Sequence, residues 1–153
     1  MKRNVCALAG ALVLSASLAL AAQPAPFTLE EITPAEGAFP AVLARELGRA
    51  SAHHQTPFVW VSATWCGPCQ KLKASLGDPR MKDAFSGTFI IHVDLDAWNA
   101  QLARAGFHVG GVPAFFALDA HGRPTGRTIT GAAWQDDVPA NMAPPLKAFF
   151  RAK

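Results

Sequence analysis

The chain has 153 residues, half of them hydrophobic, which is enough for one packed core without extra staples and points to a single domain. Its formal charge is +3, with Lys2 and Arg3 at the extreme amino terminus and further basic residues, among them Arg45, Arg49, Lys71, Lys73, Arg80, Arg104, Arg123 and Arg127, scattered along the chain. No run is long enough to track a phosphate backbone, so nucleic-acid binding has no support.

Residues 1–21 carry the three parts of a secretory signal: the basic start, an apolar run over 5–20, and the small residues Ala19 and Ala21 at its end. Cleavage is expected to leave Ala22 or Gln23 as the first mature residue and a side-chain balance of about +1. Cys6 sits at the front of the apolar run, where a lipid-accepting cysteine would follow it, and reads as a small apolar signal residue. The run is short for a stable span of about 20 residues. Export, to a periplasm-like compartment, and a soluble mature chain are the expectations. Residues 22–38, rich in proline and alanine, form an extension expected to pack loosely over a domain of residues 39–153, with Phe27, Leu29 and Ile32 as anchors.

Phe39, Val42, Leu43, Leu47 and Ala50 recur at helical spacings and predict a first helix that ends near His53-His54. Adjacent helix positions point apart, so this histidine pair reads as a solvated helix end rather than a metal site. Residues 58–63 form an apolar run suited to the middle of a sheet covered on both faces. A helix-favouring stretch follows at 70–76, then a short helix over 79–85 capped by Asp78. A second central strand is predicted at 88–93 and a helix at 98–105. Asp94 and Asp96 between them could suggest paired carboxylates, but read as a solvated loop. A strand at 114–118, turn residues at 119–124 and a strand at 126–130 predict an antiparallel hairpin. Leu146, Phe149 and Phe150 predict a last helix after Pro144-Pro145. The order gives an α/β sandwich with a mixed sheet. Trp98 and Trp134 are assigned no site.

The chemistry sits between the first strand and its helix, in Trp65-Cys66-Gly67-Pro68-Cys69. Two thiols separated by two residues at a helix start can close a small disulfide ring, and the helix N-terminus favours a thiolate on the first. Cys66 is the candidate nucleophile and Cys69 the resolving thiol. With the signal removed this is the remaining pair, and a loop so small is a poor structural staple. A zinc half-site would need a second ligand pair, which is missing, so no metal is assigned.

The pentapeptide, the Gly110-Gly111-Val112-Pro113 loop and Gly131 after the hairpin together resemble the thioredoxin superfamily over nearly all of residues 39–153. Asp78-Pro79-Arg80 after the cysteine helix is similar to exported members, including the C-terminal thioredoxin-like domain of the transmembrane thiol transporter. The resemblance implies a thioredoxin-like fold, a mixed central sheet with helices on both faces. It also implies a cis Val112–Pro113 peptide whose backbone pairs with an extended substrate, and Trp65 as an apolar contact surface beside the thiols. Gly67 and Pro68 would shape the redox pair, in the dipeptide found in reducing members. One departure stands out: the family's buried acid, six residues before the first cysteine, is Trp60 here. The family's basic neighbour on the next strand corresponds to His92, which could handle protons or simply pack at the sheet.

These readings lead to an exported thiol-disulfide reductase of protein disulfides, with no cofactor, that receives electrons from a membrane thiol relay. The alternatives are a disulfide oxidase or isomerase, and a copper-handling or partner-binding module that uses the thiols as ligands.

Overall fold

The computed structural model describes residues 25–152; the expected signal segment 1–21, Cys6 included, lies outside the described residues. Five strands form one mixed sheet in the order β1-β3-β2-β4-β5. They are β1 (Thr28–Ile32), β2 (Thr56–Ser62), β3 (Thr88–Asp94), β4 (Ala114–Leu118) and β5 (Pro124–Thr130). The helices are α1 (Phe39–Ala52), α2 (Gly67–Ser75), α3 (Pro79–Ala84), α4 (Leu95–Arg104) and α5 (Pro139–Arg151). β1 and β2 run parallel to β3 on its two sides, whereas β4 is antiparallel to both β2 and β5. The predicted hairpin is therefore β4–β5.

Alternation along the two central strands builds two cores. Val59, Val61, Phe89, Ile91 and Val93 point to the side covered by α1 and α4, which contribute Phe39, Val42, Trp98 and Leu102. Phe58, Trp60 and Ile90 point to the other side, against Leu72 of α2, Met81 and Phe85 at α3, and Leu146 and Phe150 of α5. This two-sided burial explains why β2 reads as a continuous apolar run. The Asp78 side chain accepts from the Arg80 amide at 2.8 Å and caps α3 as its sequence position predicts.

Three expectations need correction. The extension does not simply lie over the domain: residues 28–32 form β1, an outer strand paired along β3 from Thr28–Phe89 to Ile32–Val93. Ile32 is buried and the Trp98 indole donates to its carbonyl at 3.1 Å, so this segment is built into the core. Asp94 and Asp96 do not lie in a loop. Asp94 caps α4 by accepting from the Ala97 amide at 3.0 Å, and Asp96 lies in that helix's first turn. The last helix starts at Pro139, ahead of Pro144-Pro145, and carries both prolines internally. Pro139 stands where the first-turn amide has no intrahelical partner, and burial of Met142, Ala143, Leu146 and Phe150 holds the helix together past the two lost amides.

Candidate active site

β2 delivers the chain to the carboxyl end of the sheet, where residues 63–66 turn into α2. Cys66 is the N-cap of that helix: its backbone is extended and its sulfur accepts from the Cys69 amide at 3.1 Å. The helix start thus directs an amide and the positive end of its dipole at the first sulfur, which favours a thiolate there once the pair is reduced. Cys66 and Cys69 are joined in a disulfide with Cα atoms 5.3 Å apart. Both residues are only 4% exposed and pack with Ala63, Leu95 and Val112.

The other sequence-predicted site residues gather around this pair. Trp65 is 65% exposed, and its indole donates to Asp96 Oδ2 at 2.8 Å, so α4 fixes an open aromatic face beside the thiols. Gly67 and Pro68 are exposed in the first turn of α2, and a Cβ on Gly67 would meet nothing within 4 Å. Internal packing therefore does not require glycine at this position, which lies open at the surface. The Val112–Pro113 peptide is cis. Pro68, Val112, Pro113 and Gly131 border a groove of about 410 Å³. The Gly131 amide donates to the Pro113 carbonyl at 3.1 Å, and a Cβ on Gly131 would stand 3.2 Å from the Pro113 ring. Gly131→Ala is expected to displace that ring and slow thiol-disulfide exchange at the pair several-fold while changing stability little. Exchange kinetics with a small disulfide and urea melts, run in parallel, check the split.

Behind the pair lies a second cleft, of about 400 Å³, lined in part by Cys69, Trp60, Ser62, His92, Glu31 and Lys73. Trp60 and His92 are register partners across β2 and β3, the neighbour relation anticipated from the resemblance. Trp60 is fully buried, with its ring 5.3 Å from Phe115 and 4.4 Å from His92. His92 Nε2 lies 2.6 Å from Ser62 Oγ, and its Nδ1 lies 3.3 Å from Glu31 Oε1. Glu31 also accepts from Lys73. Burial holds the His92 imidazole below the usual histidine range, against the opposing pull of Glu31. The Lys73 hydrogen bond holds the Glu31 carboxyl below the usual carboxylate range. Ser62 and Glu31 went unread as site residues because they come from separate strands; the one available signal was the place of Ser62 in the strand predicted at 58–63, whereas β1, which carries Glu31, was read as an extension.

His53 and His54 are exposed at the end of α1. Trp134 is buried and donates to Asp137 at 3.0 Å. No group of three or more potential metal ligands occurs among the described residues.

The thioredoxin family model matches residues 46–143, a span that includes the dithiol, the proline loop and the hairpin. The chain belongs to the thioredoxin family. Among solved structures, this thioredoxin-family chain is similar to Trxlp from Edwardsiella tarda EIB202, at 19% identity and a TM-score of 0.50 over 82% of this chain and 100% of that one. It is similar to a disulphide isomerase from Xylella fastidiosa Temecula1, at 17% identity and a TM-score of 0.52 over 72% and 86%. A thioredoxin from Trypanosoma brucei brucei matches at 19% identity and a TM-score of 0.51 over 86% and 93%. At these identities the structural likeness concerns the thioredoxin-like fold. No curated protein sequence matches the chain. The family domain and its Cys66–Cys69 pair are consistent with a thiol-disulfide redox role.

Proposed function

We propose that the protein is an exported, periplasmic thiol-disulfide reductase that reduces disulfides in other proteins and is itself recharged by a membrane thiol relay. The observation that carries this reading is the Cys66–Cys69 pair at the start of α2, with the Pro68, Val112 and Pro113 groove beside it. The basic, apolar and small-residue pattern of residues 1–21 supports export. An oxidising compartment then requires a dedicated electron supply.

In the reduced protein, the Cys66 thiolate attacks one sulfur of a substrate disulfide. A Cys66–substrate bond forms, and the other substrate half leaves as a thiolate that takes a proton from solvent. Cys69 then attacks the Cys66 sulfur, closing the internal disulfide and releasing the second substrate thiolate. Two electrons have moved from the protein pair to the substrate. The substrate strand lies along the groove, where the Val112 backbone can pair with it and the exposed face of Trp65 can cover it. Gly67 leaves room for the strand, and Pro113 offers no amide hydrogen to compete for the sulfurs.

The direction of flow is tested by the equilibrium reduction potential of the Cys66–Cys69 pair in glutathione or dithiothreitol buffers. A value near about −270 mV supports the reductase; one near about −120 mV overturns it in favour of disulfide donation.

A further inference from the structure

We infer that Ser62, His92 and Glu31 form a proton relay that deprotonates Cys69 during the second step of the exchange, carrying the proton from the buried side of the dithiol to solvent. This inference rests on the dithiol exchange proposed above and concerns only its resolving step.

The groups come from three strands that the fold brings to one cleft. Ser62 ends β2, His92 lies on β3, and Glu31 lies on the outer strand β1. Cys69 lines the cleft and is only 4% exposed, so the cleft is the route by which its proton leaves. At the outer end Glu31 is 55% exposed. Between Ser62 and Glu31 the contacts are continuous: Ser62 Oγ to His92 Nε2 at 2.6 Å, and His92 Nδ1 to Glu31 at 3.3 Å. With Glu31 ionised, Nδ1–H donates to its carboxylate, which leaves Nε2 to accept from the Ser62 hydroxyl. A cleft of about 400 Å³ readily admits water between Cys69 and Ser62.

The charged groups facing His92 are Glu31 from β1, Lys73 from α2 and Asp94 at the end of β3; Trp60 of β2 supplies only its ring. Lys73 binds Glu31 rather than the imidazole and so anchors the outer link. Burial keeps the imidazole neutral, and therefore able to accept, at neutral pH.

The Cys69 thiol loses its proton through cleft water and the Ser62 hydroxyl to His92 Nε2. The Cys69 electron pair forms the bond to Cys66 Sγ, and the Cys66–substrate bond breaks, so that the substrate sulfur leaves with its pair. The imidazolium, stabilised by Glu31, returns its proton to solvent. Both protein cysteines are oxidised and the substrate disulfide is reduced. Ser62, His92 and Glu31 act through Cys69 and are positioning residues.

The test uses the reduced protein, mixed rapidly with 5,5′-dithiobis(2-nitrobenzoate), which releases one thionitrobenzoate when Cys66 attacks and a second when Cys69 resolves. In wild type the second release should hold steady near neutral pH and fall as acid protonates His92. His92→Gln should slow the second release by at least about tenfold at neutral pH and replace that profile with a rate that keeps rising with pH, while leaving a measurable first release. Ser62→Ala should produce the same loss. Glu31→Gln should move the acidic limb to lower pH, because the carboxylate favours the imidazolium. A merely structural role would not move that limb. Unchanged second-release rates and pH profiles in His92→Gln and Glu31→Gln overturn the relay and leave the reductase reading intact. A wild-type protein with no first release overturns both.

Discussion

Cys66→Ser is expected to reduce turnover of a protein disulfide to below about 1% of wild type, and Cys69→Ser to leave a persistent mixed disulfide on Cys66. The two cysteines sit in one helical turn yet meet different surroundings. Cys66 is the cap, faces the helix amides and borders Val112, whereas Cys69 backs onto the inner cleft. A hydroxyl at position 66 has no accessible anion near neutral pH, so no covalent intermediate forms. A hydroxyl at position 69 leaves the first attack intact and stops the second. Mass spectrometry of each variant after incubation with a disulfide-bonded substrate, together with steady-state reduction, checks both outcomes. A Cys66→Ser protein that still turns over substrate would falsify the assignment of the nucleophile.

Trp60→Ala is expected to destabilise the protein by about 3–5 kcal/mol, a drop in Tm of roughly 10–20 °C. Trp60 is 0% exposed, stacks on Phe115 with 16° between the rings, and closes against His92. Phe115 in turn meets Phe85 and Phe150, so the indole is the sheet-side anchor of an aromatic cluster that joins β2, β4, α3 and α5. Truncation opens a cavity that neither register partner, Phe115 nor His92, can fill from its own strand. Trp60→Phe keeps a ring in the stack and is expected to cost only about 1–2 kcal/mol. Urea unfolding of the oxidised protein measures both; a loss below about 1 kcal/mol for the alanine variant would show that the stack carries little stability. The position also has a chemical meaning. An uncharged indole here leaves the titratable groups of the inner cleft to β1, β3 and α2, which is where Glu31, His92 and Lys73 are found.

Much of the domain was legible in the sequence, because its strongest signals are contiguous. The dithiol, the apolar run before it and the helix after it lie within about twenty residues, and β2, β3 and the hairpin announce themselves through apolar strands and turn chemistry. Residues 28–32 escaped because an outer strand with Glu30 and Glu31 lacks that apolar continuity; Ile32 alone is fully buried in it. The start of α5 was obscured by prolines at 144 and 145, whose local preference is overridden by the buried face of the helix. Asp96 as the Trp65 partner, and Ser62 and Glu31 as His92 partners, span about thirty or more residues of chain, and only the parallel registers of β1, β3 and β2 bring the latter together. Local pattern singles out the two cysteines; the residues that surround them are brought there by folding.

The outer position of β1 has a practical meaning for any shortened form of the protein. A fragment cut at residue 39, the apparent beginning of the domain by sequence pattern, would strip the cover from β3, whose Phe89, Ile90, Ile91 and Val93 are all buried. The newly bared rim would present a row of free amides and carbonyls along an apolar ribbon, an open template for another chain to add to. Self-association, rather than simple loss of activity, would be the first defect of such a fragment. Residues 28–32 therefore serve the sheet as a selvedge, the finished border that keeps the fabric from catching on its neighbours.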